Sequence, residues 1–246
     1  MEPDGSGVSF EITAEPERGS TLLCGFSRFG LAGLTAVDYL VDHLGMESIG
    51  HVTTAALPTI TPFEEGRPRH HTRLFSRSDL DVVVLVNELF VPQFAADELA
   101  RSILAWTDEH AIDEVAVLSG VPVAHGPDDH RVFYVATDDY RERRLDGVDI
   151  PAMGNGFLDG VNASLLSRGL DSDLRAGIFL TPVHAQAPDV DAALRLIDGF
   201  ERVYGLDVDS APLEAFAKEV QRYYQELASR LQEVEPAQMP DDRMYM

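Results

Sequence analysis

Apolar positions along this chain follow two rhythms. Short runs read as strands: VSFEIT (8–13), TLLCGF (21–26), SIGHVTT (48–54), HTRLFS (71–76), DVVVLVNE (81–88), EVAVLSG (114–120), RVFYVAT (131–137) and AGIFLTP (176–182). DVVVLVNE is apolar on both faces, the mark of a central strand. Between the runs, apolar residues recur three or four apart. Leu34, Val37, Leu40, Val41 and Leu44 predict a helix over 31–45, with Gly45 as its stop. Pro92 stands near the start of the next helix, which carries Leu99, Ile103, Leu104 and Trp106. Two more helices span 157–170, entered from Gly-Asn-Gly, and 190–205, ending at Gly205. The last is a long amphipathic helix from Ser210, a capping residue, to Val234. Strand–helix–strand over 21–54 is the unit of a parallel sheet. LPTITPFEEGRPRHH (57–71) reads as a long loop. The whole predicts a single α/β domain over 1–234, its sheet mostly parallel or mixed and flanked by helices. Beyond Val234 comes EPAQMPDDRMYM, a flexible tail over 235–246 that reaches about 40 Å when extended.

Charge changes the picture most. Acidic residues number 42 against 19 basic, a net charge of −23, and Lys218 is the lone lysine. A field of this sign opposes nucleic acid and anionic membranes as partners. It also repels itself unless concentrated salt shortens the screening length to about 3 Å at 1 M. Surplus carboxylate with almost no lysine is the composition expected of a halophilic archaeon. The acidic start lacks a signal-peptide core, no apolar run is long enough to span a bilayer, and Cys24 stands alone, so the expectation is a reduced, cytoplasmic protein.

Candidate chemistry is sparse. GFSRFGLAG (25–33) follows a strand and opens a helix. Its glycines permit either tight strand-to-helix packing or an anion loop built on Ser27, Arg28 and Gly30. His125, Asp128, Asp129 and His130 have metal-ligating chemistry but sit in a turn-like HGPDDH, and no metal or cofactor is expected. Arg67, Arg69, His70, His71 and Arg73 form a basic island suited to ion pairing within the chain or between subunits. Glu88 ends a central strand, where catalytic carboxylates of open sheets stand. No nucleophile elbow is present, and Cys24 lacks a local histidine. The final Met244-Tyr245-Met246 stands out. Tyr is 7 of 246 residues and apolar residues are 45%, so chance gives an apolar–Tyr–any ending about 1% of the time. A ring, an apolar neighbour and a free carboxylate suit capture in a partner's pocket.

Taken in order, GFSRFGLAG, LPTITPF, NELFVP (87–92), SGVPVAHG (119–126), GNGFLDGVNASLL (154–166) and TPVHAQAPDVDAA (181–193) resemble archaeal members of the PAC-two family, relatives of the proteasome assembly chaperones. The resemblance covers roughly residues 8–232. It implies a nucleoside-phosphorylase-like fold, a homo-oligomer of three or four chains, and no established catalysis for many members. It also gives the ending a meaning, because some archaeal members carry a C-terminal hydrophobic–Tyr–any motif like that of proteasomal activators. Met244, Tyr245 and Met246 would then dock on the α-subunits of the proteasome core particle. Two readings stand open. One is a non-enzymatic assembly chaperone or activator-like protein. The other is a phosphorylase-like or hydrolytic enzyme of unknown substrate, with Ser27, Arg28, Glu88 and residues near 119–126 at the strand ends.

Overall fold

A computed structural model describes residues 7–58, 60–123, 126, 129–184, 188–218 and 222. The chain divides into two compact units, Met1–Asp209 and Ser210–Met246. In the first, the elements run β1 (Ser9–Ala14), β2 (Thr21–Phe26), α1 (Ala32–His43), β3 (Glu47–Ala55), β4 (Phe63–Glu64), β5 (Arg67–Pro68), β6 (Thr72–Ser76), β7 (Val82–Asn87), α2 (Gln93–Glu109), β8 (Glu114–Val121), β9 (Phe133–Ala136), α3 (Asp138–Tyr140), α4 (Gly160–Leu170), β10 (Arg175–Pro182) and α5 (Val190–Tyr204). A π-helical turn, Arg141–Leu145, continues α3. In the second unit, residues 211–218 are helical, and the remainder of the helix expected to Val234 lies outside the described residues, except for a helical residue at 222.

Eight strands form one mixed sheet in the order β1-β3-β6-β7-β2-β8-β10-β9. The middle four, β7, β2, β8 and β10, run parallel. Every other neighbour pair is antiparallel. The α/β expectation holds, and β7 is interior as its two apolar faces require. Two local expectations change. The β2–α1–β3 segment does not make an adjacent parallel pair, because β7 and β6 lie between the two strands. β7 is buried along its whole length, whereas β3 buries only Val52. The strand with more apolar surface takes the place beside β2, and the amphipathic one moves to the flank. The stretch 57–71 also contains a short hairpin, β4–β5. Glu65 and Gly66, with φ of 48° and 78°, supply the two left-handed residues its tight turn demands.

Helices cover both faces. α1 and α5 pack together on one, α2 and α4 on the other. The two-residue period of β2 sends Leu22, Cys24 and Phe26 toward the second face, where they share a core with Leu99, Ile103, Val161 and Leu165. Cys24 is fully buried, and burial pushes its thiol well above the usual cysteine range. It packs as an apolar residue.

Candidate functional site

β2 leads into α1 on one face of the sheet, and β7 leads into α2 on the other. Where neighbouring connections diverge in this way, a crevice opens beyond the carboxyl ends of the strands. It is present here as a cleft of about 610 Å³ between the 27–31 turn, Asn87–Val91 and the start of α4. Its walls are mostly apolar, with Phe29, Leu89, Phe90 and Val161 among them, and Arg28, Asn87, Gln93 and Asp159 are the polar groups.

The residues expected to form an anion loop line this cleft. Arg28 donates through Nη2 to the Asp159 carboxylate, and its Nη1 lies 3.5 Å from the Asp159 carbonyl oxygen. Gly160 makes room for it: φ is 59°, and a Cβ there would strike Arg28 Nη1. The Ser27 N–H donates to the Asn87 carbonyl at 3.0 Å. The Gly30 carbonyl accepts from the Asp189 N–H at 2.8 Å. Close packing accounts for the glycines. A Cβ on Gly25 would collide with Val37, and one on Gly33 with the Leu118 carbonyl oxygen. Gly30, at φ 64°, lies against Val183. The loop is thus tightly packed where strand meets helix, and Arg28 lines the cleft while paired with Asp159.

Asn87 shapes the opposite wall. Its Oδ1 accepts from Thr72 Oγ1 at 2.6 Å, and its Nδ2 donates to the Leu89 carbonyl at 2.8 Å. Next to it, Glu88 does not stand free. Arg69 grips both its oxygens, at 2.7 and 2.9 Å, and Arg73 lies 3.8 Å away. The basic island thus closes an ion-pair cluster inside the chain, with Arg73 also 3.4 Å from Asp38. Both oxygens of this carboxylate are thus engaged by one guanidinium in a bidentate pair. Nearby, His51 and His70 stack at 3.6 Å. Burial, and then neighbouring His70, hold His51 and His71 below the usual histidine range.

Of the metal candidates, Asp129 and His130 are described, and His125 and Asp128 lie outside the described residues. No group of three metal-ligating side chains occurs among the described residues. His184 is engaged with Asp189, 3.0 Å from its carboxylate, and Asp189 also caps α5 through the Ala192 N–H at 2.9 Å. Burial works to raise the Asp189 pKa, but these hydrogen bonds win and hold it below the ordinary value. Met244, Tyr245 and Met246 lie outside the described residues.

The segments that carry the family resemblance gather at this end of the sheet. Asn162, from GNGFLDGVNASLL, donates to Ser119 Oγ, from SGVPVAHG, at 3.0 Å. Leu57, from LPTITPF, packs with Leu89 and Ala95 around the NELFVP turn. Asp189 ties TPVHAQAPDVDAA to the glycine turn.

A second cluster escaped the sequence reading. At the opposite, amino end of the strands, Glu114 is fully buried. It accepts from Arg144 Nε at 2.7 Å, Tyr204 Oη at 2.7 Å, Thr21 Oγ1 at 3.1 Å and Arg175 Nε at 3.4 Å. Tyr140 Oη lies 3.0 Å from Tyr204 Oη, and burial pushes both phenols above the usual tyrosine range. The one available signal was a charge heading the otherwise apolar run EVAVLSG.

The PAC2 family model matches residues 22–228. The chain belongs to the PAC2 family. Among solved structures, the PAC2 chain is similar to Pyrococcus furiosus PbaA, an archaeal homologue of proteasome-assembly chaperone, at 20% identity and a TM-score of 0.82, covering 92% of this chain and 94% of that one. P. furiosus PbaB, an archaeal proteasome activator, matches at 17% identity and a TM-score of 0.76, covering 91% and 99%. A Thermoplasma acidophilum protein of unknown function matches at 24% identity and 0.75, covering 92% and 94%. No curated protein matches. At these identities the likeness establishes the fold of the PAC2 chain, and the family match establishes its kinship. Among the described residues, no helix is long and apolar enough to cross a membrane.

Proposed function

We propose that this PAC2 protein is a non-enzymatic assembly chaperone or activator-like partner of the proteasome, working as a homo-oligomer of three or four chains in a salt-rich archaeal cytoplasm. Its C-terminal Met244-Tyr245-Met246 docks on α-subunits of the core particle. The observation that carries the reading is the match of the family model over 22–228 together with an apolar–Tyr–any ending. The ring of Tyr245 gives a rigid anchor with one hydroxyl, Met244 adds apolar contact, and the terminal carboxylate seeks a cation. Salt screens that last interaction, so the apolar contacts carry more of the affinity here than at low ionic strength. Several tails on one oligomer convert weak single contacts into firm attachment. The enzymatic alternative gains no support from Glu88, whose carboxylate is occupied by Arg69.

The test is co-purification with the core particle in molar KCl, comparing the intact chain with one lacking residues 244–246 and with Tyr245→Ala. Loss of the core particle from both variants, with unchanged circular dichroism, is the expected result. A tail-less chain that still retains the core particle would end this reading.

A further inference from the structure

Large exposed apolar side chains are not spread evenly over the first unit. Phe29, Ile60, Phe63, Phe90, Phe94 and Phe157 all belong to the connections or helix starts that follow the strands at the carboxyl end of the parallel strands. Phe63 is 74% exposed, Phe90 72% and Phe94 67%, and Phe157 is fully exposed. Phe29 and Phe90 line the same cleft, Phe157 stands two residues before Asp159 of its wall, and Leu57, three residues before Ile60, shares an apolar cluster with Leu89 and Ala95. Isolated exposed rings are ordinary, whereas a concentration of them at one end marks an interaction face.

Charge is distributed the other way. The turns at the amino end expose Asp81, Asp108, Glu109, Asp171 and Asp173, and Asp79 there is paired with Arg77. At the carboxyl end the charges are largely matched: Arg28 with Asp159, Arg69 with Glu88 and Glu64. A basic partner would be steered to the acidic end. The carboxyl end, where most carboxylates have an arginine beside them, suits a partner that is itself acidic, since there a contact need not press bare carboxylates together.

We propose that the carboxyl-end aromatic face is where copies of this chain associate with one another. A second copy is an acidic partner of net charge −23 that brings the same apolar face. The β4–β5 hairpin exposes Glu64, Glu65 and Arg67 beside Phe63, so two hairpins meeting across the contact offer both signs to each other. Desolvated rings at the centre with paired charges at the rim are the ordinary anatomy of a protein interface. This inference rests on the oligomer in the proposed function and names its contact face.

The test is mass by light scattering and sedimentation in molar KCl. The intact chain is expected as a multimer. Phe90→Glu combined with Phe94→Glu is expected to give the mass of one chain with an unchanged circular dichroism spectrum, while Leu170→Glu at the opposite end leaves the multimer intact. As a check that does not depend on disruption, Phe157→Cys and Leu170→Cys are treated with a short bis-maleimide, since the native Cys24 is buried. Cross-linked dimers from Phe157→Cys well above those from Leu170→Cys support the face, and equal yields overturn it. A monomeric intact chain, or full mass in the Phe90/Phe94 variant, also overturns it. So does a Phe90/Phe94 variant that keeps its mass but loses the core particle, because the face then serves a different protein. The chain lacking 244–246 keeps its multimer if only the tail reading is right or wrong, so the two failures are distinguishable.

Discussion

The two ends of the parallel strands make opposite use of polar and apolar groups. At the amino end, Glu114, Arg144, Arg175, Tyr204 and Thr21 turn inward and satisfy one another, and the exposed turns are acidic. At the carboxyl end, Arg28–Asp159 and Arg69–Glu88 tie loops together, and large apolar side chains face outward around a cleft. A buried ion cluster serves position and register, because each charge is costly without its partners. Exposed phenylalanines serve contact, because only a partner removes them from water. The lesson is that one end of the fold is built to stay closed and the other to be covered.

The largest effect should come from the closed end. Glu114→Ala leaves Arg144 and Arg175 without their buried partner and is expected to cost about 3–5 kcal/mol, seen in denaturant unfolding at constant salt. A loss below about 1 kcal/mol would mean that solvent reaches this cluster and the contrast between the ends is false. Gly160→Ala at the open end forces a left-handed backbone on alanine and pushes Arg28 from its place. A cost of about 1–3 kcal/mol is expected, with part recovered by Arg28→Ala in the double variant.

Proton titration sharpens the comparison, because the two ends respond to opposite extremes. Burial makes His51 and His71 harder to protonate in the fold, so the unfolded chain takes up their protons more readily. Their contribution is complete above about pH 6.5 and fades as pH falls below it. Tyr140 and Tyr204 are raised, so theirs is complete below about pH 10 and fades above it. Melting temperatures across both ranges in fixed molar salt should fall on each side, and Tyr204→Phe should flatten the alkaline limb alone. The smallest effect belongs to an exposed side chain away from the aromatic face: Leu170, 72% exposed at the amino end, should move stability by less than about 0.5 kcal/mol when changed to serine.

Much of the framework was legible because burial writes itself into spacing. DVVVLVNE had to be interior, since both its faces are apolar, and it lies beside β2. The helix ending at Gly205 follows a local rule, and Gly205 takes the left-handed φ of 65° such a stop needs. The family-like motifs were also legible as segments, but not as one place. Ser27 and Arg28 could be singled out, whereas their partners Asn87 and Asp159 come from strands and helices far along the chain. Glu88 looked like a free strand-end carboxylate because sequence does not show that Arg69 reaches it. Glu114 passed unnoticed because a single charge in an apolar run resembles an ordinary strand end.

By itself the sequence determined the class of fold, the order of its longer strands and helices within residues 8–205, the acidic balance of its charge and the unusual ending, all of which depend on local periodicity or on composition. Only the tertiary structure decided which strands are neighbours, which charges are neutralised and at which end the apolar surface is left uncovered. The reason is that hydrogen-bond pairing between strands and contact between distant side chains depend on competition among all the elements for the same interior. No stretch of residues carries the outcome of that competition alone.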